Sequence, residues 1–159
     1  MVPNLYAKMA EAPALLKAYQ EISEIFTLSG LTPTEQQVVL LTVSRVNRCT
    51  YCVGAHSVLA DMGGVATEVT DAIRNDTPIA DPRLEALRRF TARLVEARGW
   101  LDDADVQAFF DAGYQPANVL DVIVGVGQKT LSNYTNHIAG TELDAAFSER
   151  AWQAPPADA

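Results

Sequence analysis

Signals that start helices recur along this chain, and they constrain its fold more than any other feature of the sequence. The sharpest is Thr32-Pro33-Thr34-Glu35, in which Thr32 caps the helix, Pro33 takes the first helical position and Glu35 completes a capping box. Asp81-Pro82 is a second start of the same kind. No stretch shows the period-two alternation of a half-buried strand. The sequence therefore predicts an all-α fold.

Apolar residues recur at helical spacing between these signals and predict a single-domain bundle of seven or eight helices. The predicted segments are Leu15–Phe26, Thr32 to about Arg48, Thr50–Asp61, Thr67–Arg74, Pro82 to before Gly99, Asp103–Asp111, and Pro116 to about His137. The last segment carries apolar residues on most sides, which predicts a central, buried helix in which Gly125 and Gly127 let a neighbour approach closely. We expect residues 1–152 to form the domain and residues 153–159 a flexible C-terminal tail.

Composition excludes several classes of protein. Of the 159 residues, 48% are hydrophobic and 20% charged, which rules out disorder over the bulk of the chain. The 12 basic residues against 20 acidic ones give a net charge of −8, too negative for a nucleic-acid binder or for an anionic membrane surface. No apolar run approaches the length of a membrane span, and the first residues do not resemble a signal peptide. We therefore expect a cytoplasmic protein.

The segment Arg45–Leu59 contains the pattern C-x-x-C-x-x-x-H. If the pattern opens a helix, Cys49, Cys52 and His56 share one face of it. A helix N-terminus and a nearby imidazole both lower the pKa of a thiol. Cys52 and His56 are four residues apart, close enough for proton transfer, and Cys49 can resolve an oxidised Cys52 as an intramolecular disulfide. The pattern therefore predicts thiol redox chemistry.

Two other interpretations of the cysteines stay open. They can be two small buried residues, or Cys49, Cys52, His56 and the distant His137 can form a zinc set. The zinc reading lacks a second C-x-x-C or H-x-x-x-H pair, so we expect neither a metal nor a cofactor. A c-type haem is excluded because Val53, not histidine, follows the second cysteine.

The segment Thr32–Leu59 resembles the carboxymuconolactone decarboxylase superfamily, in its alkylhydroperoxidase D-like, peroxidase-related branch. The residues that carry the resemblance are Asn47, Cys49, Tyr51, Cys52 and His56. Pro78–Arg83 and Leu131–Ala139 are also similar to that branch, so the resemblance extends over most of the chain.

The resemblance implies an all-α oxidoreductase with peroxidase or peroxiredoxin-type antioxidant activity. In it Cys52 attacks the peroxide, Cys49 resolves the product and His56 is the base of a proton relay. The implied partners are a hydroperoxide substrate and a thiol or disulfide reductant protein. The resemblance also implies a homo-oligomer, either a trimer or a hexamer.

One position departs from the family pattern. The glutamate of the family's relay lies twelve residues before the first cysteine, where this chain has Gln37. Glu35 is two residues earlier and points about 200° away around the helix. We expect Gln37 to face the thiol pocket, where either the relay is weakened or Gln37 only orients His56 or a water. We expect Glu35 to be structural. Glu35→Ala should then cost about 0.5–1.5 kcal/mol of stability and leave the reactivity of Cys52 unchanged.

The sequence also offers secondary candidate residues for the site and two alternative functions. Tyr51 can cover the thiols or simply pack, and His137, with Asn133 and Asn136, can line the pocket or be solvated. The first alternative function is a lyase of the carboxymuconolactone decarboxylase type. The second is a non-enzymatic thiol redox sensor with the same fold.

Overall fold

The computed structural model describes residues 2–156. All regular secondary structure in that part of the chain is helical, with eight α-helices and one 3₁₀ helix. The elements are α1 (Asn4–Met9), α2 (Pro13–Thr27), α3 (Pro33–Val46), α4 (Thr50–Met62), α5 (Thr67–Asn75), α6 (Pro82–Glu96), α7 (Asp103–Asp111), α8 (Pro116–Ala139) and the 3₁₀ helix (Ala145–Arg150). The predicted all-α fold is confirmed, and α2 to α8 lie where the sequence predicts them. The six-residue α1 and the 3₁₀ helix were not predicted, because they are too short to show a periodic pattern.

The predicted start signals act as caps. The Thr32 hydroxyl accepts a hydrogen bond from the Glu35 amide, and the Glu35 carboxylate accepts one from the Thr32 amide at 2.8 Å, which completes the capping box of α3. The Asp81 carboxylate caps α6 by accepting bonds from two backbone amides. Asp102 caps α7 in the same way, through the Asp105 amide. These local bonds explain why the helix starts can be predicted from sequence.

Helix α3, not α8, is the central helix of the bundle. Every residue from Val38 to Ser44 is buried, and α3 packs against α4, α5, α6 and α8. The prediction of α8 as the central helix is wrong. Its Leu120 and Ile123 are exposed, by 64% and 48%, because no other described element covers that side of the helix.

The inner face of α8 approaches its neighbours closely at Gly125, as the sequence predicts. A Cβ atom at this position would lie 2.7 Å from Val39 of α3 and 2.9 Å from Phe26 of α2. The same inner face continues through Lys129 and Asn136, which are also buried. The close approach therefore brings the polar part of α8 against α4.

No helix in the described range combines the length and the apolar character needed to cross a membrane. Residues 153–156 have no regular secondary structure, and the Arg48 guanidinium donates hydrogen bonds to the carbonyls of Pro155 and Pro156. The rest of the predicted flexible tail, residues 157–159, lies outside the described residues. The domain boundary at residue 152 stays a prediction.

Candidate active site around Cys49 and Cys52

A tight turn between α3 and α4 positions the two cysteines. Arg48 adopts a left-handed conformation, with φ of 58°, and the Cys49 amide donates to the Ser44 carbonyl at 2.9 Å. Cys49 is therefore the N-cap of α4, and Cys52 lies in its first turn. The prediction that the C-x-x-C pattern opens a helix is confirmed. The positive end of the α4 dipole favours a negative charge at Cys52.

Both thiols are free and almost completely buried, at 1% exposure each. The Asn136 side-chain amide donates to Cys52 Sγ at 3.2 Å and lies 3.9 Å from Cys49 Sγ. The Ser132 hydroxyl lies 3.9 Å from Cys52 Sγ. The Ser132 hydroxyl accepts from the Cys52 thiol, whereas the Asn136 amide donates to the sulfur and can stabilise it as a thiolate.

A buried lysine next to the thiols was not predicted. Lys129 has no exposed surface, and its Nζ has no hydrogen-bond partner among the described residues. The sequence does contain a signal for it. Lys129, Ser132, Asn133 and Asn136 recur at i, i+3, i+4 and i+7, which places a polar stripe on one face of an otherwise apolar helix. All four residues are buried.

The pKa values of the two thiols are displaced in opposite directions. Burial acts to raise the pKa of Cys52, but the Cys49 thiol, the Lys129 charge and the Asn136 amide together hold it well below its ordinary value. The pKa of Cys49 is raised by its interaction with Cys52 and by burial. The site therefore favours a thiolate on Cys52 and a proton on Cys49.

His56 and Gln37 form a hydrogen-bonded pair beside the thiols. His56 Nδ1 lies 3.2 Å from Gln37 Oε1. An amide oxygen only accepts hydrogen bonds, so Nδ1 carries the hydrogen and Nε2 is left as an acceptor. Burial, with the nearby Lys129 charge, holds the pKa of His56 well below its ordinary value. The charge that stabilises the thiolate therefore comes from Lys129, whereas the sequence pointed to the imidazole.

Glu35 points away from the thiols into a separate buried cluster. Its carboxylate accepts from the Tyr114 hydroxyl at 2.9 Å and from the Arg83 guanidinium at 3.2 Å, in addition to the bonds from Thr32. Burial acts to raise the pKa of Glu35, but the bonds from Thr32, Tyr114 and Arg83 leave it below its usual value. Gln37 therefore faces His56 and Glu35 faces Tyr114, so the two side chains point in different directions, as the sequence predicts.

Tyr51 connects α1 to the segment before the 3₁₀ helix. Its hydroxyl donates to the Asp144 carboxylate at 2.6 Å and accepts from the Leu5 amide at 3.4 Å. Asp144 also accepts from the Asn4 amide at 3.1 Å. Burial and the bond to Asp144 raise the pKa of Tyr51, so the phenol is neutral.

A cavity of about 330 Å³ opens beside Cys52. Its described wall contains no aspartate or glutamate, and Lys129 is its only lysine or arginine. Leu59, which lines the cavity, is 42% exposed, so the cavity wall extends to the surface. The lining combines aromatic and apolar side chains with a few polar ones: Pro3, Leu5, Tyr6, Tyr19, Ser23, Tyr51, Cys52, Ala55, His56, Leu59, Gln128, Lys129 and Phe147.

The remaining candidate, His137, is exposed in the last turn of α8 and does not line this cavity. Its neighbours Asn133 and Asn136 are buried, on the face of α8 that packs against the cysteines. Among residues 2–156, no three His, Cys, Asp or Glu side chains lie close enough to hold a metal ion. The zinc set considered from the sequence is therefore not assembled.

Residues 13–93 match the profile of the carboxymuconolactone decarboxylase family. No curated protein matches the chain.

Several solved structures share the fold. One is an alkylhydroperoxidase AhpD core, an uncharacterized peroxidase-related protein from Ralstonia eutropha JMP134, with a TM-score of 0.82 and 24% identity over 92% of this chain and 80% of that chain. A peroxidase-related protein from Silicibacter sp. TM1040 has a TM-score of 0.80 and 20% identity over 92% and 79% of the two chains. A variant of the debrominase Bmp8 in complex with 2,3,4-tribromopyrrole has a TM-score of 0.79 and 16% identity over 94% and 81%. Identities this low establish the fold alone.

Proposed function

The chain belongs to the carboxymuconolactone decarboxylase family, and within it we propose a thiol-dependent peroxidase that reduces hydroperoxides through Cys49 and Cys52. One observation carries the proposal. Cys52 lines a cavity that reaches the surface, its pKa is held low, and the protonated Cys49 is its neighbour. This is the arrangement that a two-cysteine peroxide reaction needs, because the thiolate is the nucleophile and a second thiol must resolve the product.

The reaction follows from the charges in the site. The Cys52 thiolate attacks the peroxide, an S–O bond forms, the O–O bond breaks, and Cys52 becomes a sulfenic acid while an alcohol leaves. Cys49 Sγ then attacks Cys52 Sγ, the S–O bond breaks, and a disulfide and water are the products. A dithiol or a reductant protein restores the two thiols by exchange.

We assign His56 to the resolving step. Its neutral imidazole has Nε2 available as an acceptor, so it can take the proton of Cys49 and pass it to the departing hydroxide. Gln37 holds the ring in the required tautomer but has no charge with which to stabilise an imidazolium. We therefore expect the resolving step to be slower here than in a relay that contains a carboxylate.

The test compares the wild type with Cys49→Ser and Cys52→Ser after one equivalent of an organic hydroperoxide. The wild type should lose both thiols without cross-linking chains. Cys49→Ser should retain Cys52 as a sulfenic acid that dimedone captures, and Cys52→Ser should keep its thiol. Retention of both thiols in the wild type would overturn the proposal.

The lyase alternative has one observation in its favour, which is that the Lys129 ammonium could pair with a substrate carboxylate. Cys52→Ser separates the two functions, because decarboxylation of carboxymuconolactone does not need a thiolate and peroxide reduction does. We expect the wild type to leave the lactone unchanged. Decarboxylation by both proteins would instead establish the lyase.

A redox sensor would be oxidised by peroxide but would not turn over. Peroxide consumption in the presence of excess dithiothreitol separates it from a peroxidase. We expect consumption of many equivalents per chain. A stop after one equivalent, with the disulfide still formed, would indicate the sensor.

A further inference from the structure

Lys129 carries a buried positive charge that has no role in the reaction described for Cys49, Cys52 and His56. Its ammonium is completely buried, has no hydrogen-bond partner among the described residues, and lies in a cavity wall without a carboxylate. A buried ammonium without a counter-charge is strongly unfavourable, so the group needs an anion beside it. In the reduced protein that anion is the Cys52 thiolate, which also keeps the pKa of Lys129 high against burial.

The attack on a peroxide moves this negative charge. As the S–O bond forms and the O–O bond breaks, the charge leaves the sulfur and appears on the departing alkoxide oxygen. An alkoxide is a strong base and a poor leaving group, so its departure is accelerated by a proton donor. The ammonium that faced the thiolate lies in the same cavity as the new anion.

We propose that Lys129 is a catalytic proton donor, which protonates the alkoxide oxygen as it leaves the peroxide and stays beside the oxidised cysteines as a neutral amine. The inference rests on the proposed peroxidase function. The step balances: thiolate, ammonium and hydroperoxide give sulfenic acid, amine and alcohol. Reduction of the disulfide later returns the proton to Lys129 and restores the thiolate–ammonium pair.

Other groups around the cavity are poorer donors. His56 is neutral and its one ring hydrogen is held by Gln37, while the Tyr51 hydroxyl already donates to Asp144. No acidic side chain is among the cavity groups. The titratable side chains that share the cavity or act on the Lys129 charge are Tyr6 of α1, Tyr19 of α2, and Cys49, Tyr51, Cys52 and His56 of α4.

The test uses two oxidants that differ in their leaving group. Cumene hydroperoxide expels an alkoxide, which needs a proton, whereas peracetic acid expels a carboxylate, which does not. For each protein we measure the single-turnover rate constant for oxidation of Cys52 by each oxidant. The quantity compared is the rate constant with cumene hydroperoxide divided by the rate constant with peracetic acid. The fraction of thiolate cancels in this ratio, so it isolates proton donation from any change in the pKa of Cys52.

Lys129→Met should lower this ratio on the order of 100-fold, the usual contribution of a positioned general acid. Lys129→Gln should lower it similarly. Lys17→Met removes a lysine that is 76% exposed on α2 and is the matched control, with an unchanged ratio. Thermal melts verify that the variants fold, and an apolar replacement of a buried charge usually permits this.

The outcomes separate the two proposals. If the wild type oxidises but its ratio survives in the folded Lys129 variants, Lys129 only stabilises the thiolate and the inference is overturned. If neither oxidant consumes Cys52 in the wild type, the peroxidase function itself fails. Should both variants fail to fold, the wild-type ratio is compared with that of a small thiolate in solution. The inference then requires the protein ratio to be higher, and equality overturns it.

Discussion

At the scale of single residues, the pair Gln37–His56 offers a direct test of the relay. Gln37→Glu should raise the pKa of His56, because an opposite charge stabilises the imidazolium against the burial that now disfavours it. Titration of the His56 ring by NMR measures the shift. Gln20→Glu adds the same charge at an exposed position of α2 and should leave that pKa unchanged. An equal shift in both variants would mean that Gln37 has no special contact with the ring.

Glu35 should matter for stability rather than for chemistry. Glu35→Ala removes the carboxylate half of the capping box of α3 and leaves the buried Tyr114 hydroxyl with only the Arg83 carbonyl, at 3.4 Å, as an acceptor, so we expect a loss of about 2–3 kcal/mol of stability. This loss exceeds the loss expected from the capping box alone, because the bond from Tyr114 is also lost. The sequence does not indicate that bond, since Tyr114 lies 79 residues away. The half-exposed Arg83 adds little. Chemical denaturation measures the loss, and the alkylation rate of Cys52 should stay unchanged.

The contribution of Glu35 should also depend on pH. Its pKa is lowered in the folded protein, so the carboxylate stabilises the fold above its unfolded pKa of about 4.3, and this stability is lost as the pH falls through the lower folded value. The difference in melting temperature between the wild type and Glu35→Gln should therefore be constant near neutral pH and shrink below about pH 4. A difference that does not change down to pH 2 would contradict the assigned role.

Residues whose partners are local in sequence could be predicted, and those whose partners are distant could not. Thr32, Glu35 and the register of Gln37 follow from spacing within one helix. The pairing of Lys129 with Cys52 depends on how α8 packs against α4, which no local pattern specifies. The polar stripe on α8 indicated a buried site but not which charges it would pair.

At the scale of elements, the contact of α8 with α2 and α3 depends on Gly125. A Cβ there would meet Val39 and Phe26 below 3.0 Å, so Gly125→Ala should cost about 1–3 kcal/mol despite the better helix propensity of alanine. Gly127→Ala is the matched control, because its Cβ meets only the flexible end of Ile22, at 3.3 Å. Thermal melts should place Gly127→Ala close to the wild type. Equal losses would show that packing at Gly125 is not the cause.

The sequence misplaced α8 for a physical reason. Apolar residues on several sides of a helix indicate burial, but they do not say whether the same chain or another molecule covers each side. Here the inner side packs on α2 and α3, while the outer side is left uncovered by the described residues. The apolar pattern of α8 correctly indicates a helix with several apolar sides, but it does not mean that this chain buries all of them.

At the scale of the whole molecule, the uncovered side of α8 supports the predicted homo-oligomer. Leu120, Ile123, Tyr134 and Ile138 are exposed and fall within about 60° of one another around the helix. Ile123 and Tyr134 also line a groove of about 810 Å³ between α8 and the α6–α7 region. We propose that a symmetric copy of the chain covers this apolar surface.

We expect light scattering to give a mass of at least twice that of one chain. Ile123→Glu with Leu120→Glu should reduce it to one chain without unfolding, because both side chains are exposed. Glu11→Ala, on the exposed linker before α2, is a neutral surface control. A wild type that is already a single chain at micromolar concentration would overturn the proposed assembly.

The link between Asn4, Tyr51 and Asp144 bears on the order in which the protein becomes active. The Asn4–Asp144 bond joins residues 140 positions apart, so the link through Tyr51 can form only when these two distant segments have both packed onto the domain. Contacts this distant in sequence close a long loop and form late in folding. A chain in which α8 has not yet packed would already have its helix caps, but its Cys52 thiol would lack the Lys129 charge and the Asn136 amide that lower its pKa. We therefore expect reactivity toward oxidants to appear only after Asp144 has docked, so that a partly folded chain is protected from premature oxidation.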